Sequence, residues 1–110
     1  KPIRPDQYLE VSRTVCASGQ VDALDVELFM DGKITREIID MAHRQGMVVI
    51  ASNHDFVKTP EKDEMTRRLI LMDEMGADIL KIAVMPKSKT DVLELLTATE
   101  EMGFTQKNRW

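Results

Sequence analysis

The chain has little cysteine: Cys16 is the single one among 110 residues, so no internal disulfide and no thiolate metal site can form. That usage suits a reducing compartment, and we expect a cytoplasmic protein. Cation excess is also lacking, because 15 Lys and Arg face 19 Asp and Glu. A net charge of −4 cannot neutralise a run of phosphates, and no basic stretch is interleaved with aromatics, so nucleic acid is not an expected partner. Long hydrophobic runs are missing as well. The longest, such as Met47 to Ala51 and Ile82 to Met85, fall far short of a bilayer span, which argues against membrane insertion. Neither a G-x-G-x-x-G loop, a Walker motif nor a His/Cys metal spacing occurs. A 43% hydrophobic share with 31% charged residues lies far from a disordered composition, and the length fits one domain, residues 1–110. The first residue is Lys1, which suggests a piece of something longer.

What is present is a repeat. Gly19, Gly46, Gly76 and Gly103 follow segments of helical periodicity at spacings of 27, 30 and 27 residues, and glycine tolerates the left-handed conformation that ends a helix. Tyr8, Leu9, Ser12, Val15 and Cys16 mark one amphipathic helix; Ile38, Ile39, Met41 and Ala42 mark the next. Thr59 as cap and Pro60 at the first helical position would start a third, followed by Glu61, Asp63 and Glu64 at the positive end of its dipole. Ser88 or Thr90 with Asp91 would start a fourth. Between them lie strand-length runs, Asp22 to Phe29, Met47 to Ser52 and Ile79 to Val84, rich in Val, Ile and Leu. A helix followed by three strand–helix units predicts an α/β fold of parallel strands with right-handed crossovers. A complete (β/α)8 barrel needs roughly 250 residues. The chain therefore reads as a partial (β/α)8 TIM barrel or as a small open sheet of the flavodoxin kind.

Several charges sit where a core is expected. In the first strand Leu24, Val26 and Leu28 share one face while Asp25 and Glu27 share the other. In the third strand Lys81 lies between Ile79 and Ala83 on one face. His54 follows the second strand directly, just past its carboxyl end, where α/β proteins place reactive groups. Glu27, His54 and Lys81 are 27 residues apart in turn, which predicts equivalent positions on one concave surface.

A buried lone charge is costly unless paired, so these groups are either structural ion pairs or chemically active. In a desolvated pocket Lys81 would be pushed toward the neutral amine, able to condense with a carbonyl; as a structural residue it would pair with Asp25 or Glu27. His54 is either a polar contact or a general base and acid near neutrality. Asp25 and Glu27 read as supporting groups that orient Lys81 or pair with other cations. His43, in the last turn of a helix, reads as surface, as do Lys62, Asp63, Arg67 and Arg68. Met65, Met72 and Met75 read as packing, and Cys16 as inert.

Four stretches carry a resemblance: Asp25-Val26-Glu27-Leu28-Phe29; Ser52-Asn53-His54-Asp55-Phe56 with Lys58-Thr59-Pro60; Gly76-Ala77-Asp78-Ile79-Leu80-Lys81-Ile82-Ala83-Val84-Met85-Pro86; and Leu95-Leu96-Thr97-Ala98-Thr99. In order and spacing they resemble the central part of type I 3-dehydroquinate dehydratase, from about Gln7 to Met102. The resemblance implies a barrel enzyme that dehydrates 3-dehydroquinate to 3-dehydroshikimate in the shikimate pathway, with neither metal nor bound cofactor. It implies Lys81 as the Schiff-base lysine, His54 as the residue that moves the proton, Phe56 as a lining of the substrate pocket, and Asp25 and Glu27 as polar positions inside the barrel. In that family a glutamate orienting the histidine lies upstream in a Gly-Gly loop, and the arginine clamping the substrate carboxylate lies downstream. Neither is matched in these 110 residues, so impaired turnover is expected. Residues 103–110 do not resemble the family's next strand and read as a divergent tail. A half-barrel would expose sheet edges and an apolar face, which predicts self-association into a homo-oligomer or pairing with the remaining barrel segments. Two other readings remain open from the residues: a flavodoxin-like module binding a divalent cation, and another Schiff-base barrel such as an aldolase.

Overall fold

The computed structural model describes residues 4–28 and 32–105. Its elements are α1 (Pro5–Ser18), β1 (Ala23–Glu27), α2 (Gly32–Arg44), β2 (Val48–His54), α3 (Lys62–Glu74), β3 (Ile79–Ala83) and α4 (Lys89–Thr105). The strands form one parallel sheet in the order β1-β2-β3, with each crossover made by a helix, as the alternation of periods requires.

Alternation along the strands divides the molecule into two faces. Val26, Val49 and Ala51 are fully buried on one face, against Ile38 and Ile39 of α2 and Leu69 and Met72 of α3, with Cys16 and Met102 closing the cluster from α1 and α4. Each such aliphatic side chain taken from water contributes roughly 1.5–3 kcal/mol. Met65, Met72 and Met75 are buried, as packing predicts. The opposite face of the sheet carries Asp25, Glu27, Ser52, His54 and Lys81 and is left uncovered by these helices.

Gly19, Gly46 and Gly76 take positive φ (68°, 74° and 95°), so three helices end where the sequence indicates. Gly103 does not follow: it lies inside α4, whose Ala98 and Met102 are packed in the core. Glycine permits a left-handed residue but does not impose one. Residues 106–110 of the expected tail lie outside the described residues. The start of α3 also differs from expectation. Glu61 precedes its first residue, Lys62, and Thr59 instead donates its hydroxyl to the Met85 carbonyl at 3.0 Å, which keeps Thr59 and Pro60 in the loop. At α4 the Ser88 hydroxyl accepts from Asp91 N at 3.2 Å, while Asp91 accepts from Lys87 N at 2.9 Å, as the cap residues predict.

The two margins of the sheet are finished differently. On the side of β1 turned away from β2, the Tyr8 hydroxyl accepts from Glu27 N at 3.1 Å and lies 3.5 Å from the Asp25 carbonyl. Burial raises the Tyr8 pKa above its ordinary value. Beside β3 lies an apolar groove of about 500 Å³ between the strand and α4, lined by Ile79, Leu80, Ile82, Leu95, Leu96 and their neighbours.

Candidate functional site

Strand register assembles the site. Glu27 on β1 pairs with Ser52 on β2, and Ser52 pairs with Lys81 on β3, so the three form one row across the sheet and share a face. Neighbouring strands are about 4.8 Å apart, which places Lys81 roughly two spacings from Glu27. His54 stands two residues beyond Ser52 on the same face. Equal chain spacing therefore misplaced one member. His54 shares the surface with Glu27 and Lys81 but lies beyond their row, because the connections before and after β2 differ by four residues. His54 is also the last residue of β2, not a loop residue past it.

A hydrogen-bonded chain runs along this face. The Ser52 hydroxyl, 1% exposed, contacts Asp25 Oδ1 at 2.5 Å and Glu27 Oε2 at 3.3 Å. Glu27 Oε2 also meets His54 Nδ1 at 3.0 Å. A carboxylate on Nδ1 fixes the imidazole orientation and favours the tautomer with Nε2 unprotonated, ready to accept a proton from the open side. Glu27 thus holds His54, where the sequence left it to orient Lys81 or to pair with another cation. Ser52 was missed by sequence reasoning, although its strand parity with His54 was a usable signal. Phe56 is 79% exposed, and its ring stacks on His54 with centroids 5.8 Å apart and an interplanar angle of 9°.

Lys81 differs from expectation. Its residue is exposed, and among the described residues no hydrogen bond or ion pair engages it. β3 is an outer strand of the described sheet, and among the described residues no contact pairs the Lys81 amine with Asp25 or Glu27.

Behind the site, Arg68 is not the free surface cation its helix position suggests. It is bound by Glu64 at 2.6 Å and donates to Asn53 Oδ1 at 3.0 Å, which fastens α3 to the end of β2. Hydrogen bonds from Arg67 and then Arg68 hold the Glu64 carboxyl down to about 2. Lys62 likewise contacts Glu101 at 2.7 Å, linking α3 to α4. At the other end of the strands, His43 pairs with Asp78 at 2.8 Å, and the same carboxylate oxygen accepts from Val49 N at 2.8 Å. Among the described residues no group of three or more His, Cys, Asp or Glu could hold a metal ion, and no helix is long and apolar enough to cross a membrane. The Cys16 thiol is buried, which raises its pKa.

A family profile described as type I 3-dehydroquinase matches residues 1–108. The 3-dehydroquinate dehydratase of Clostridioides difficile (strain 630) is 49% identical over 102 residues, or 93% of this chain and 40% of that protein. The 3-dehydroquinate dehydratase of Salmonella typhimurium is 51% identical over 96 residues, covering 87% of this chain and 38% of the relative. Among solved structures, 3-dehydroquinate dehydratase from Enterococcus faecalis is similar with a TM-score of 0.90 at 38% identity, covering 98% of this chain and 45% of that one. The type I 3-dehydroquinate dehydratase from Clostridium difficile, solved with covalently modified comenic acid, gives a TM-score of 0.86 at 49% identity, with 93% and 40% covered. The chain thus spans between 38% and 45% of the length of these relatives. The three parallel βα units form part of a (β/α)8 barrel, and the flavodoxin-like alternative receives no support.

Proposed function

Starting from a chain that belongs to the type I 3-dehydroquinase family, we propose that it carries the lysine and histidine of a Schiff-base dehydratase acting on 3-dehydroquinate. The observation that supports this reading is the row Glu27, Ser52, Lys81 on one face, with His54 held by Glu27 a step farther along that face. The Lys81 Nζ adds to the substrate ketone, and loss of water leaves a protonated imine. That imine is an electron sink that acidifies the adjacent C–H. His54 Nε2 removes this proton, the electron pair moves toward the iminium, and the hydroxyl departs as water with the proton His54 returns. Hydrolysis of the imine releases 3-dehydroshikimate and restores the amine. The mechanism assigns neither metal nor cofactor a step.

In this reading Phe56 lines the substrate pocket over His54, and Asp25 and Glu27 form its polar floor through Ser52. Substrate capture also needs a clamp for the substrate carboxylate, and positioning by such groups accounts for much of catalytic rate. For the 110 residues by themselves we therefore expect slow turnover. The apolar groove beside β3 supports association with a second copy or with further barrel segments, and the lone buried thiol supports a cytoplasmic setting. Incubation with 3-dehydroquinate and borohydride, followed by peptide mapping, tests the assignment. A reduced adduct on Lys81 is expected; an adduct confined to other lysines would refute it.

A further inference from the structure

The segment after His54 is sewn to the segment after Lys81. Asp55 N donates to the Ala83 carbonyl at 2.8 Å, Met85 N donates to the Lys58 carbonyl at 3.2 Å, and the Thr59 hydroxyl donates to the Met85 carbonyl at 3.0 Å. The loop's own shape is set by one side chain. Asp55 Oδ1 accepts from both Val57 N and Lys58 N at 3.0 Å, a local turn in which a carboxylate stands in for a backbone acceptor. These two amide bonds lead in holding the Asp55 carboxyl below its ordinary pKa, and the nearby Arg68 guanidinium adds to them. Phe56 sits within this turn. With its ring 79% exposed, no core packing fixes it, so its stacking on His54 depends on the turn that presents it.

We propose that Asp55 is a positioning residue for this site: its carboxylate shapes the loop that holds Phe56 over His54. Through Lys58 and Thr59 it also sets the end of β2 at a fixed offset from the segment beyond Lys81. The two strand ends then behave as one rigid lip, so the imidazole and the amine keep their separation while substrate enters. The catalytic consequence rests on the dehydratase reading above, whereas the geometry does not. Asp55 touches no reacting atom in this scheme; it acts through the loop.

The test uses the 110-residue chain and three variants, Asp55→Ala, Asp55→Asn and Thr59→Val. Two quantities are read: the His54 ring resonances with amide hydrogen exchange by NMR, and the rate of borohydride-trapped adduct formation with 3-dehydroquinate. Asp55→Ala removes both turn bonds and is expected to speed exchange at Val57 and Lys58 by about tenfold or more. It should also move the His54 ring signals away from their stacked values and slow trapping about tenfold at saturating substrate. Asp55→Asn keeps a side-chain oxygen in place and should restore most of each effect. A purely structural role would lower the melting temperature without moving the His54 ring signals in the folded protein. Wild-type ring signals and exchange rates in Asp55→Ala overturn the proposal. If Asp55→Ala does not fold, Thr59→Val decides, since it deletes one stitch only: faster Met85 exchange with shifted His54 signals supports the proposal, and unchanged values overturn it. Absence of any Lys81 adduct in the wild type removes the dehydratase reading, while the His54 signals still judge the positioning role.

Discussion

On one side of the sheet's functional face, Asp25, Ser52, Glu27 and His54 are joined through successive hydrogen bonds; on the other, Lys81 stands on an outermost strand and is exposed. Both halves are built from the same βα unit, so local structure does not explain the contrast. Position in the sheet does. Ser52 and His54 on β2 find their carboxylate partners on the neighbouring β1, whereas Lys81 on β3 has only β2 beside it, whose site residues already bond to β1. Orientation of the His54 ring is thus built into these residues, whereas the Lys81 amine, which the proposed function makes the nucleophile, stands exposed at the outer strand.

The contrast sets the expected outcome of several single substitutions. The largest effect is expected from Lys81→Ala, which should abolish the reduced adduct seen by mass spectrometry while leaving the thermal transition within about 0.5 kcal/mol of wild type, because an exposed side chain holds little of the fold. A large loss of stability would show that Lys81 is a structural ion-pair residue instead. Next comes the covered side: Ile39→Ala, at a fully buried site, should cost about 2–5 kcal/mol in denaturant unfolding. Ile79→Ala, at a site 50% exposed beside the groove, should cost less than about 1 kcal/mol. Equal losses would mean that the β3 margin is already packed against something in solution. Ser52→Ala should cost about 1–3 kcal/mol, since it takes the shared donor away from two carboxylates. The smallest effect concerns acid. Glu64 has a folded pKa of about 2, below its ordinary 4.5. Its contribution to stability is therefore present above about 4.5 and declines as pH falls toward 2. Glu64→Gln should flatten the unfolding midpoint over that window, and an unchanged acid limb would remove Glu64 from the α3 anchor.

Most of the fold was legible because two periods, 3.6 and 2, alternate along the chain with glycine at the helix ends. The division of β1 into an apolar and a carboxylate face followed from parity alone. The partners within the site were not legible, since they depend on strand register, and register depends on connection lengths that are unequal on the two sides of β2. Glu27 therefore met His54, not Lys81, and Ser52 occupied the row position that equal spacing had assigned to His54. Arg68 and Thr59 misled for a related reason. Glu64 and Arg68 at i and i+4 look like a solvated helix pair, and Thr59-Pro60 looks like a helix start, until tertiary neighbours Asn53 and Met85 claim them. The burial of Lys81 was inferred from apolar neighbours along its own strand, which cannot report what lies beside the strand.

The phenol against β1 gives the sheet a handed vulnerability. A foreign polypeptide trying to zip onto that flank would have to evict the chain's sole tyrosine and replace both of its bonds at once, a poor exchange for a stray peptide. Among the described residues no such side chain caps the outer edge of β3. Of the two outer edges in the described sheet, that of β3 is therefore the readier template for a stray strand.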